Sequence, residues 1–161
     1  MALDGSAPSK NVAQQHPVIM PVPGGVYWCH APYKPRDRSA PITPGPDPHP
    51  VLVLTVYDEI SPPEVLIAPG TGTLGGAHSH LDFEVMGGSV EAQAMGLTKT
   101  TRFKMSGLDR IPFVPGLFVP KNPCLIGIEH SKIGAAPASV VKQAIVKYAA
   151  FVKFVDRLNK R

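Results

Sequence analysis

Proline and glycine make up more than a fifth of this chain, with 19 prolines and 15 glycines in 161 residues. Proline has no backbone N–H and clashes with the preceding helical turn, and glycine weakens helix interiors. A chain punctuated this often suits many short strands joined by turns and disfavours a helical bundle. Proline is dense in residues 34–50, where Pro44-Gly45-Pro46-Asp47-Pro48 occurs. That segment can be neither a central strand nor a helix, and an extended loop over the surface is expected. A surface loop is expected rather than a linker between two domains, since few residues precede it. The length fits one domain with a real core. Residues 1–15, small and polar, are expected to form a flexible arm, and 16–161 a single domain.

Hydrophobic patterning places the strands. Residues 51–57 form a near-continuous apolar run, the mark of a buried strand, and 64–68 give another after a turn. Earlier β-prone runs at 18–20 and 26–29 are broken by Pro21, Pro23 and the Gly24-Gly25 pair, giving one or two short strands. Residues 84–86 and 89–95 read as a hairpin about Gly87-Gly88. Leu97, Lys99, Thr101, Phe103 and Met105 alternate with Thr98, Thr100, Arg102 and Lys104, as in a half-buried strand. Residues 113–114 and 117–119 are strand-like, and 131–138 read as a loop. Toward the end, Val140, Val141, Ala144, Ile145, Tyr148, Phe151, Val152 and Val155 share one helical face, so periodicity alone gives one long helix.

Charge and cysteine usage exclude some classes. The net charge is +4, with basic residues spread along the chain apart from Arg157, Lys160 and Arg161 near its end. No nucleic-acid footprint stands out, and no apolar run reaches membrane length. Residues 1–15 lack a charged-then-apolar signal pattern, so a cytoplasmic protein is expected. Cys29 and Cys124 are then reduced by default, although the sequence leaves a Cys29–Cys124 disulfide open.

The stretch richest in chemistry runs from Gly72 to Glu84 and contains His78, His80 and Glu84. Residues i and i+2 of a strand point to one face, so His78 and His80 can share an ion there. On a helix they would stand roughly 200° apart. Glu84 would lie roughly 13 Å beyond His80 on a straight strand, so a metal reading requires a bend at 81–83. Two imidazoles and a carboxylate facing one point suit a divalent first-row metal. The alternative is that the histidines are polar residues of an edge strand and Glu84 a solvated charge. The preceding Gly70, Gly72 and Gly75 match a dinucleotide fingerprint in spacing, but strand-like sequence follows where that fingerprint needs a helix.

Gly72, His78, His80 and Glu84, with five, one and three residues between them, resemble the first motif of the cupin superfamily. The resemblance implies an all-β, jelly-roll barrel with His78, His80 and Glu84 binding one metal inside it. It also implies a closing strand, placed at 140–146, and a short C-terminal helix at 148–158. The first motif departs slightly, with Glu91 where a glycine is expected beyond Glu84; the second departs further, with Pro120 and Asn122 at the turn and the ligand histidine missing. Its place falls to Leu125, or to Cys124 if the turn is one residue shorter. Cys124 is therefore either a fourth ligand or a buried inert thiol. His130 shares strand parity with Cys124 but lies roughly 20 Å along a straight strand.

Trp28, Tyr57 and Arg102 are candidate substrate contacts, with Tyr27 and Phe83 further possibilities by location. Trp28-Cys29-His30 is a possible pocket cluster, although aromatic residues in an early strand more often belong to a core. Asp82 is a candidate to orient a ligand histidine. The resemblance implies a metal-dependent enzyme, an oxygenase, isomerase or lyase, with dioxygenase-like or related Lewis-acid chemistry on a small organic acid or phenol. The metal would be Fe, Mn, Ni or Zn. The competing expectation is a non-catalytic small-molecule-binding or structural cupin. Expected partners are a small-molecule ligand and a second copy in a homodimer, with no nucleic acid and no membrane. Residues 34–50 are a possible lid.

Overall fold

The second strand shows how the sequence builds the fold. The computed structural model describes residues 19–32, 39–73 and 79–161. Residues 1–18, which include the expected arm, lie outside the described residues, as do 33–38 and 74–78. The apolar run at 51–57 belongs to a strand, β2 (His49–Tyr57). Val51 and Val53 are buried on one face and Leu52 on the other. A strand covered on both faces reads as continuous rather than alternating hydrophobicity.

Around it run β1 (Gly25–Cys29), β3 (Glu64–Thr71), β4 (Phe83–Val85), β5 (Thr101–Phe103), β6 (Asp109–Pro112) and β7 (Lys132–Ala135). Among the described residues there are two α-helices, α1 (Val90–Ala94) and α2 (Ala138–Asn159). The sheet order is β4-β5-β3-β2-β1-β7, with β6 also paired to β3 and every ladder antiparallel.

The sheet curls because one edge of β3 serves two strands in succession. Residues 64–67 pair with β6, while Gly70 and Thr71 pair with β5. Pro69 sits at the break and has no N–H for a ladder. Its carbonyl still accepts from Lys104 N at 2.9 Å, and the chain leaves the sheet through a 3-10 turn at Met105–Gly107. The result is a curled half-barrel of mostly antiparallel sheet, with α2 packed on it.

Each face of the sheet has its own core. The inner face carries Val26, Leu52, Ala68 and Phe103, covered by Leu81, Phe83, Met95 and Met105 and by Val140 and Ala144 of α2. Phe83 and Phe103 stack with centroids 5.4 Å apart. The outer face carries Tyr27, Cys29, Val51, Val53, Ile67 and Ile111 under Phe113, Leu117 and Phe118. Tyr27 meets Phe113 and Phe118 edge-on at 5.5 and 6.0 Å, a favourable aromatic geometry.

Several expectations are corrected. Residues 140–146 are not a closing strand but the first half of α2, which has 22 residues and so is longer than the expected C-terminal helix. Residues 90–94 are helical rather than a hairpin strand. Ser89 caps that helix, its Oγ accepting from Ala92 N at 3.1 Å. Only 101–103 of the alternating segment at 97–105 are strand. Residues 113–119 are not strand, Pro115 and Phe118 alone forming isolated bridges, and the expected loop at 131–138 contains β7.

Candidate functional site

Strand alternation continues the inner face beyond its core. Trp28, Pro50 and Gly70 share the face of Val26, Leu52 and Ala68. There the core gives way to a cleft of about 620 Å³. Trp28 forms one wall, with Pro48 just before β2 and His49 and Pro50 at its start. The ends of β3 and β5 contribute Gly70, Thr71 and Thr101, and the connection before β5 contributes Thr98 and Lys99.

Close backbone approach shapes the floor. A Cβ on Gly70 would lie 2.8 Å from both Pro50 O and Thr101 Cγ2, so only glycine lets these strands meet there. A Cβ on Gly72 would lie 3.1 Å from Lys99 Cε and Nζ, so the lysine stem runs across that backbone. Thr101 Oγ1 donates to Lys99 O at 3.0 Å and steadies the turn that presents Lys99.

Lys121 arrives from a different part of the chain. Val119 N donates to Trp28 O at 3.1 Å, which ties the loop after Phe118 to β1. Lys121 Nζ stands 5.2 Å from the centre of the Trp28 ring, within cation–π range. Both Lys99 and Lys121 are exposed. Among the described residues that line the cleft there is no carboxylate. It therefore offers two ammonium groups, an indole and several hydroxyls to a ligand, and it falls within the usual volume of small-molecule sites.

The described members of the expected metal-ligand set do not line this cleft. His78 lies outside the described residues. His80 is exposed on a 3-10 turn, Ser79–Leu81. Its ring meets Phe154 of α2 edge-on at 6.4 Å, and its carbonyl accepts from Lys147 Nζ at 2.7 Å. Glu84 is exposed on β4 between buried Phe83 and Val85. It borders a shallow hollow with Ser139, Val140 and Gln143 of α2. Along α2, Lys147 and Phe154, which meet His80, lie about one and three turns beyond Gln143. The chain bends between His80 and Glu84, but His80 stands on a turn and not on the strand expected for the His78–His80 pair.

Cys124 is exposed and free in a surface turn, where Asn122 Oδ1 accepts from its backbone N–H at 3.0 Å. Asn122 thus supports the turn expected at the second motif through its side chain. Among the described residues, no three His, Cys, Asp or Glu side chains are grouped to hold a metal ion. His80, Glu84 and Cys124 do not fit one by themselves.

Of the candidate substrate contacts, Trp28 lines the cleft. Arg102 is buried, its Nε 3.4 Å from Asp82 Oδ2. Asp82 also accepts from Met105 N at 2.9 Å, so it holds the core turn together rather than orienting His80. Tyr57 lies under the Arg110 guanidinium, 3.6 Å from its ring centre, and Arg110 in turn pairs with Glu64. Tyr27 and Phe83 are core residues. Cys29 faces the outer core, where burial pushes its thiol pKa well up. His30 Nδ1 lies 2.8 Å from Gly45 O, against the described part of the proline-rich loop. His130 is exposed beside Glu129.

Lys99, Lys121 and His49 were not among the residues singled out from sequence. They come from three separated segments, and no spacing rule joins them. No protein-family model matches this chain, and no curated protein is similar enough to pair with it.

Proposed function

We propose that the protein binds a small organic acid carrying a planar ring, in the cleft between Trp28, Lys99 and Lys121. The observation behind this reading is that two ammonium groups and an indole meet at one cleft whose described lining lacks a carboxylate. A bound carboxylate or phosphate leaves water and needs charge-assisted hydrogen bonds in exchange. The lysines supply them, and Thr71, Thr73 and Thr98 add hydroxyl partners. The indole supplies a flat apolar surface for a ring.

Calorimetric titration with benzoate, phenyl phosphate and acetate tests the reading. Benzoate or phenyl phosphate is expected to bind more tightly than acetate. Lys99→Ala and Lys121→Ala should each weaken binding by about 10- to 100-fold, the range for a lost charged hydrogen bond. Trp28→Ala should remove the preference for ring-bearing acids. Equal binding by the lysine variants, or no binding of any of the three anions, would reject the cleft as the site.

The spacing of His78, His80 and Glu84 supports a second reading, a cupin-type jelly roll with metal-dependent, dioxygenase-like chemistry. Its test is elemental analysis of the wild type and of a His78→Ala/His80→Ala variant. Near-stoichiometric Fe, Mn, Ni or Zn that disappears in the variant is the expected result. A metal-free wild type after reconstitution would end that reading.

A further inference from the structure

Helix α2 buries one apolar stripe and exposes another. Val140 and Ala144 are buried, and Phe151 and Phe154 pack on the same core. About 100° round the helix lies a second stripe, Val141, Ile145, Tyr148, Val152 and Val155. Its spacing alternates four and three residues, the repeat of a coiled-coil seam. Ile145 is 62% exposed, and Tyr148 and Val152 are each 40% exposed. The stripe borders an apolar groove of about 380 Å³, with Pro23, Leu54 and Leu66 on its other side. A contiguous apolar surface of this kind marks an interface.

We infer that this face is covered by the same face of a second copy, with the two α2 helices antiparallel. Charge decides both the partner and the direction. With Ile145 and Val152 as a positions and Val141, Tyr148 and Val155 as d positions, Lys142 and Asp156 fall at e positions. Asp156 is the one acidic residue of α2. In an antiparallel pair the e positions face each other, so Lys142 meets the partner's Asp156 and the reciprocal pair forms. A parallel pair would set e against g, where α2 has Ala144, Phe151 and Leu158, and both charges would be unmatched. The antiparallel register also stacks Tyr148 on the partner's Val152 and Ile145 on the partner's Val155. A patch that complements itself in this way is what a two-fold dimer needs.

Light scattering coupled to size exclusion, on the full chain at about 100 μM, provides the test, well above the Kd range of stable dimers. The expected mass is twice the 17.2 kDa of one chain. Ile145→Asp/Val152→Asp should give a monomer with unchanged helical circular dichroism. Lys142→Asp and Asp156→Lys should each weaken the dimer by about tenfold, and the double reversal should restore it. The charge variants alter only exposed positions and keep the test decisive if the aspartate variant misfolds. A monomeric wild type would overturn the proposal and leave the face to residues 1–18 or to a different protein. A dimer that survives the folded aspartate variant, or a double reversal that fails to restore association, would also overturn it.

Discussion

Arg102 and Cys29 show why residue identity alone misplaces chemistry. Arg102 looks like a ligand-binding cation, yet its cross-strand position opposite Glu84 brings it beside Asp82 in the core. Removing one member of a buried pair of this kind leaves an uncompensated charge, which is costly. Cys29, on the outer face, is held protonated by burial, while Cys124 is solvent-exposed. The ordinary thiol pKa of 9.0 applies to the unfolded chain, and the folded value lies above it. The associated stability is therefore fully present below pH 9 and is lost as pH rises further, by about 1.4 kcal/mol per unit. Tyr27, raised from 10.0 chiefly by burial and partly offset by the hydrogen bond from Val22, adds to the loss at still higher pH. Urea unfolding at pH 7.5, 9 and 10 should show this decline, and Cys29→Ala should lessen it. A wild-type decline no steeper than that of the variant would place the alkaline sensitivity elsewhere.

Among the elements, the end of α1 and β7 meet backbone to backbone. Gly96, just after α1, has φ +69°, and a Cβ there would lie 2.1 Å from Ile133 O. A Cβ on Gly134 would lie 2.3 Å from the Met95 carbonyl carbon. Backbone lies against backbone, so neither side can yield cheaply. Gly134→Ala is expected to destabilise the fold by at least about 1–3 kcal/mol, measurable as a lower urea midpoint. An unchanged midpoint would mean that the two backbones separate freely. This contact also explains what the sequence could and could not convey. β1, β2 and β3 are legible because their apolar runs exceed what a loop would carry. α2 is legible from its period of 3.6, and the strand expected at 140–146 came from the cupin resemblance instead. β7 is not legible: Lys-Ile-Gly-Ala is short and weakly patterned, and pairing with β1 makes it a strand. α1 is only five residues long, and its cap Ser89 is its main local signal. The candidate cleft was legible only through Trp28, because topology, not spacing, brings Lys99 and Lys121 to it.

For the whole molecule, the curl at Pro69 matters more than any single strand. It divides one edge of β3 between β5 and β6, and the inner face becomes a concave layer that α2 can cover. The cleft is the end of that layer left uncovered by the helix. No described helix is long and apolar enough to cross a membrane. The position of β1 between β2 and β7 has a consequence for how the chain is made. β2 follows β1 closely, but roughly 100 residues separate β1 from β7. During synthesis, one edge of β1 must therefore wait until residues 132–135 have emerged, and until then its unpaired amides are a template for other chains.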